Sequence, residues 1–358
     1  MWGSNFAPGI VLAELDNVKN IGYADTLNDV PEAFFTLDQD DPKVTVLRTY
    51  AGRAHVHIFR NDDLVWAGWF GMEVDSNERD VVFTCYGYLA GFYWMTSNWN
   101  VQYTNAQIDT IVSDLWTRVK TTLTYSLFTT FTTGTIQAPV TTSGGATPIS
   151  LPNYQMFYKR GLFVLKELAA VAMSDTSNRV VFEITHSATP TFNLWKNKTT
   201  AQTNTVWKWG DNKVKGFRDY QMPIYHRNDL QVVGSNPTQS VLRASATDST
   251  DMSTDQWGRR MEPVYLQYVR DSTELDRVSK LRLNLALREQ TDLSLNFFPN
   301  AVLPPLATGA GFAMGDTVTV KITRGITSID TTFLVVGYRV ITLGGAEYMR
   351  VQLQQPPA

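Results

Sequence analysis

The chain has 358 residues, and its 31 Lys and Arg against 34 Asp and Glu leave a net charge of −3, which argues against a dedicated nucleic-acid binder with a strongly basic face. Hydrophobic residues make up 43% and aromatics 12% against only 18% charged, so the chain can bury a core and covers its surface with Thr, Ser, Asn and Gln more than with charges. Its single cysteine, Cys85, excludes an intrachain disulfide framework and a multi-cysteine zinc site, and no run of 18 apolar residues is present.

The opening MWGSNFAPGI lacks the basic and apolar regions of a signal peptide, which leads to the expectation of a protein made and kept in a cytoplasm. Strands are expected over Ile10–Leu15 and over Lys43–Arg48, where apolar and polar residues alternate. His55–Arg60 and Leu64–Phe70 flank the polar turn Asn61-Asp62-Asp63 and read as a hairpin, and Val81–Tyr86 follows as a further strand. This spacing predicts a small barrel or sandwich.

The period then changes. Ile108, Ile111, Val112, Leu115, Trp116 and Val119 form the apolar stripe of a helix, with Thr104 and Gln107 as its capping box and Asp114 and Arg118 paired at i, i+4. Residues 121–158 carry no charge and are rich in Thr. Such a segment is either a disordered loop or an extended arm that docks on a partner. A second helix fits Leu162, Leu165, Leu168, Ala169 and Ala172, ending near Ser174-Asp175. Strands follow at Arg179–Ile184 and Thr191–Trp195.

A third helix begins at Asp271, with Glu274 as its capping partner and Leu275, Val278, Leu281 and Leu285 as its buried stripe. Val318, Val320 and Ile322 alternate with polar residues in a late strand. Phe333–Leu343 and Glu347–Leu353 then flank Gly344-Gly345, a hairpin signal.

Motifs that carry chemistry are scarce. Gly309, Gly311 and Gly315 have the wrong spacing for a phosphate loop and precede a strand, so they read as a turn. His55 and His57 share a strand face, but His186 and His226 stand in no ligand-like spacing, so a structural or surface role is favoured over a metal. Asp62-Asp63 reads as solvated turn residues, Cys85 as an inert core thiol, and Asn197-Lys198-Thr199 as a sequon without consequence. No catalytic residue, cofactor or metal ligand is nominated. Trp66, Trp69 and Trp116 read as core. Trp207 and Trp209, on one strand face beside Lys208, could anchor a partner.

The order of elements adds a resemblance. Pro31–Leu37 precedes a strand ending at Tyr50. The hairpin with Leu64–Trp69, the strand closing in Cys85–Leu89 and a helix then follow. This succession resembles the opening of the central tail-hub proteins of long-tailed bacteriophages. Asp255–Glu262 and Gly315–Val320 resemble later stretches of that family.

The resemblance implies a mostly β, α+β chain with two small β-barrel-like domains plus helix-containing mixed domains, assembled as a homotrimeric ring. The divisions expected are 1–103 (first barrel-like domain), 104–205 (mixed α/β with the uncharged insertion 121–158), 206–240 (strands joining the second barrel), 241–300 (continued mixed domain) and 301–358 (closing barrel strands). It further implies a non-enzymatic virion protein at the tail tip. Its partners would be the distal tail protein, the tail tube and tape-measure protein, and a tail fibre or tip protein, with DNA passing through the lumen without specific binding.

A hub works by contact, and the nominated contacts are Asn61, Asp62, Asp63, Trp207 and Trp209, with the Thr-rich segment. The alternatives are a tail-tip cell-wall or polysaccharide hydrolase, needing two carboxylates across a cleft, and the hub of a contractile tail or injection system.

Overall fold

The computed structural model describes residues 11–354 apart from 12, 53, 96–99, 123–127, 129, 140–147, 157–158, 173–178, 188, 197–200, 212, 222–226, 236–240, 250–252, 254–258, 267–271, 273–274, 277–278, 281–282, 284–290 and 302–311. The N-terminal block runs β1 (Asn20–Thr26), β2 (Glu32–Asp38), α1 (Lys43–Tyr50), β3 (His55–Arg60), β4 (Asp63–Ser76), β5 (Asp80–Gly87) and α2 (Ala90–Trp94). Next come β6 (Val101–Gln107), α3 (Ile108–Thr117), β7 (Thr132–Ile136), β8 (Ser150–Met156), α4 (Gly161–Ala172), β9 (Val180–Ile184) and β10 (Thr191–Lys196). The remainder is β11 (Ala201–Lys208), β12 (Val214–Gln221), β13 (Asp229–Ser235), β14 (Val241–Thr247), β15 (Met261–Leu266), β16 (Thr291–Phe297), β17 (Thr317–Arg324), β18 (Thr327–Leu343) and β19 (Ala346–Gln354).

The chain is α+β and mostly β, as its sequence implies. Its dominant feature is an eleven-stranded sheet with the order β12-β16-β19-β18-β1-β2-β5-β4-β3, to which β17 adds beside β18 and β11 beside β17. β1 pairs with both β2 and β18, so the first and last thirds of the chain share one sheet. The expected barrels are corrected in one respect: no sheet among the described strands closes on itself. The run from β19 to β3 nevertheless curls far enough for Arg60 Nε on β3 to meet both carboxylate oxygens of Glu347 on β19, at 2.9 and 2.8 Å. A side-chain clamp stands where a barrel would have a ladder.

Local chemistry explains the turns. Asn61 and Asp62 both have positive φ, at 49° and 67°, which is the primed turn that matches strand twist, and Asn and Asp tolerate it best after glycine. Gly344 and Gly345 do the same between β18 and β19, at φ 57° and 81°. Both hairpins were legible.

Lys43–Arg48 is a helix, not the expected strand. Asp41 Oδ1 accepts the Lys43 N–H at 2.8 Å just after Pro42, and Val44 and Leu47, three apart, are the residues that go inside. Capping and burial here outweigh the β-branched alternation. Ala13–Leu15 lie outside any strand, and the first described strand of the sheet starts at Asn20. The Thr104–Gln107 capping box does not form either: α3 has no side-chain cap, because Thr104 sits in β6 opposite Asn153 of β8.

Among the described residues three apolar cores result. The first lies under the large sheet and joins Phe35, Trp66 and Phe83 to Trp207, Phe297 and Phe333. The second gathers α2, α3 and α4 with β7 to β10 around Phe92, Trp116, Phe128 and Phe192. β4 feeds both, sending Trp66 and Phe70 to the first and Ala67 and Trp69 to the second. The third is small: Leu230, Val232 and Val264 pack against Leu275 and Leu283.

The helical stripe from Ile108 to Val119 is buried throughout, and Arg118 pairs with Asp114 at 2.7 Å. α4 likewise buries Leu162, Leu165, Leu168, Ala169 and Ala172. Of the third helix, Leu275 is buried and helical, as expected, while Asp271, Glu274, Val278, Leu281 and Leu285 lie outside the described residues. In its described parts the Thr-rich segment forms strands flanked by turn and irregular residues. It supplies β7 and β8 and buries Phe128, Phe131, Leu151 and Met156 in the second core.

Candidate interaction surface

The turn Asn61-Asp62-Asp63 projects from the β3–β4 hairpin, with Asn61 and Asp62 exposed and the Arg60–Glu347 clamp immediately behind it. The two tryptophans part company. Trp207 is 2% exposed and meets Phe297 and Phe312 edge-on, so it belongs to the first core. Trp209 is half-buried against Phe217, and the Arg324 guanidinium lies 4.7 Å from its ring centre. The strand alternation placed both on one face, but strand β11 ends at Lys208 and Gly210 turns the chain with φ 91°. The structure therefore leaves one tryptophan near the surface.

His55 and His57 face Tyr88, whose hydroxyl lies 3.1 Å from His55 Nδ1 and 3.4 Å from His57 Nε2. Burial pushes both imidazoles down to about 4. No group of three His, Cys, Asp or Glu side chains suited to a metal occurs among the described residues. His186 sits at the joint between the two large cores. It stacks on Trp66, accepts or donates at the Ala67 backbone within 3.0 Å, and faces Asp25 at 3.7 Å. Burial works against its charge, yet Asp25 and the Ala67 backbone hold its pKa above the ordinary histidine value.

Nearby, Asn28 bonds β9 twice, through Val180 O at 2.8 Å and the Phe182 N–H at 2.9 Å. Cys85 is fully buried and its thiol is pushed up by desolvation. Gly315 forms the turn before β17 with φ 88°, whereas Gly309, Gly311, His226, the sequon and Asp255–Gly258 lie outside the described residues.

Sequence reasoning missed a deep concavity, a groove of about 810 Å³ between β4 and helices α2 and α4. Its lining carries four apolar side chains left partly in water: Met72 (80% exposed), Trp94 (48%), Phe163 (47%) and Tyr93 (40%). β4 bulges between Phe70 and Val74, and Met72 on that bulge points outward. Arg160 covers Tyr93 at 4.2 Å, and at the rim Lys166 pairs with Asp29 at 2.9 Å beside exposed Glu32. An apolar concavity with a charged rim suits recognition of another surface. The signal in the sequence was the run Phe92-Tyr93-Trp94, too aromatic for a five-residue helix to bury.

No family model matches the sequence, and no curated protein matches it. Solved structures do. The 43 kDa tail protein of prophage MuSo2 from Shewanella oneidensis superposes with a TM-score of 0.62 at 12% identity, over 95% of this chain and 94% of its own. The tail protein from Neisseria meningitidis MC58 follows at 0.61 and 11%, covering 95% and 92%. The E. coli c3393 protein, a type VI secretion component described as similar to the T4 tail proteins gp27 and gp5, gives 0.53 at 10% over 96% and 74%. The likeness expected from the order of elements thus extends over nearly the whole chain, which has the fold of bacteriophage tail proteins.

Proposed function

We propose that the chain is a structural virion protein, the trimeric hub at the tip of a long tail. It links the tail tube and distal tail ring to the tip or receptor-binding fibre and gates the passage of DNA. The observation that carries this reading is the superposition on phage tail proteins along 95% of the chain. The surface agrees with a role in assembly: hairpin tips, an apolar groove and a half-covered tryptophan are contact features. A net charge of −3 suits a lumen that DNA must traverse without sticking. Asn61, Asp62, Asp63 and Trp209 are the contacts we assign to neighbouring tail proteins, with Trp207 supporting Trp209 from the core.

The c3393 likeness makes the hub of a contractile or secretion apparatus the second reading. The test is native mass by light scattering followed by negative-stain imaging of the same peak. A particle of three times 40.3 kDa with a central hole is expected. A compact monomer at every concentration and in the presence of the distal tail protein would overturn the hub.

A further inference from the structure

Two unexplained surface features fit each other. The β17–β18 hairpin joins Arg324 to Thr327 across Gly325, with φ +60°, and Ile326. Ile326 is 105% exposed. That turn position ordinarily takes Asn, Ser or Thr, and an isoleucine there buries nothing in its own chain. The groove between β4, α2 and α4 is lined by residues that the hairpin does not include. It holds Met72, Trp94 and Phe163 open to water, and at about 810 Å³ it is far larger than one side chain needs.

The charges match as well. Arg324, held at the base of the tip by Trp209, would meet a rim bearing Glu32, which has no ion-pair partner among the described residues.

We propose that copies of this chain associate head to tail, the β17–β18 hairpin tip of one copy seating Ile326 in the groove of the next and Arg324 approaching its Glu32. The proposal rests on the hub reading and names the contact that closes its ring. In sheet order β18, β1, β2 and β5 separate β17 from β4. Knob and groove are therefore different surfaces of one subunit, and a contact between different surfaces is heterologous and builds rings, whereas a self-complementary patch builds pairs. Burying the tip removes an exposed isoleucine and the groove's apolar lining from water together.

The test uses the full chain with cysteines placed at two exposed positions, Met72→Cys and Ile326→Cys. The native Cys85 is fully buried and stays out of the reaction. Under mild oxidation the double variant is expected to give a ladder of covalent oligomers, ending at the ring, while neither single variant does. Circular dichroism checks that all three fold.

A wild type that is oligomeric by light scattering beside a double variant that gives no ladder overturns the contact and leaves the hub standing. Cross-linking by Ile326→Cys alone overturns it too, because that is the mark of a symmetric pair. A wild type that stays monomeric at every concentration and with the distal tail protein present, with no ladder, overturns both. Charge reversal gives an independent readout. Glu32→Arg and Arg324→Glu are each expected to weaken self-association at least about tenfold, and the double reversal to restore it. Equal weakening in the double reversal overturns the pairing and leaves an apolar segment of another protein as the groove's occupant.

Discussion

Acid should loosen this protein through one identifiable pair. His55 and His57 share the Tyr88 hydroxyl on a strand packed against Trp69, and burial holds each near 4. In the unfolded chain each returns to about 6.5. A histidine depressed on folding binds its proton more readily when unfolded, so its burden is absent above pH 6.5 and grows as pH falls toward 4. Between pH 7 and pH 5, a fall from 6.5 to 4 costs about 2 kcal/mol for each ring, and about 2–4 kcal/mol for the interacting pair.

His186 runs the other way. Its pKa is raised, so its contribution is complete below 6.5 and is lost as pH rises through the folded value. It is present in both proteins compared below, and its charge repulsion with His57 comes after burial among the causes of the His57 shift. Urea unfolding followed by far-UV circular dichroism at pH 7 and pH 5, on wild type and on His55→Gln/His57→Gln, isolates the pair. The wild type is expected to lose about 2–4 kcal/mol more than the variant over that interval. Equal losses in the two proteins would refute the assignment, whatever the variant's stability at pH 7.

Three further outcomes follow from packing and backbone geometry. Phe83→Ala empties a site wholly buried between Phe35 (5.1 Å) and Phe70 (5.5 Å) and is expected to cost about 3–5 kcal/mol in denaturant unfolding. Gly345→Ala meets no neighbouring atom within 4 Å, so its cost, about 1–2 kcal/mol by the same measurement, is purely that of a side chain at φ +81°. Cys85 is expected to resist a thiol reagent in the native protein and to react fully in denaturant. Fast labelling of the native protein would mean that β5 opens.

Where sequence and structure agree, one physical signal dominated. The α3 stripe worked because six apolar residues at helical spacing all found the same core. The two primed turns worked because Asn-Asp and Gly-Gly are the residues that accept positive φ. Lys43–Arg48 misled because a short segment with three β-branched residues alternates like a strand, and the burial of Val44 and Leu47 is a tertiary fact. β1 and β2 were illegible for a related reason. Both lie inside the sheet between partners distant in sequence, β18 on one side and β5 on the other. The groove was invisible because its walls come from residues some ninety positions apart, Met72 and Phe163. The hairpin Asn61–Asp63, by contrast, is local in sequence, and its place could be read directly.

The position of β1 has a mechanical consequence. Lodged between β2 and β18, it commits residues near both ends of the chain to one sheet and one core, and the Arg60–Glu347 clamp ties the free strand β3 back to β19. A load applied at the β3–β4 tip must therefore be carried through the ladders and that clamp before any strand can leave. The β17–β18 tip stands outside this frame, connected through β18, whose 17 residues pair with β17 in the first half and with β1 and β19 in the second. β18 thus joins the exposed tip to the sheet directly, although its register with β19 shifts between Val335 and Gly337. On the hub reading, that lets a contact made at Ile326 set the orientation of the whole sheet, which is what a ring subunit requires of its neighbour.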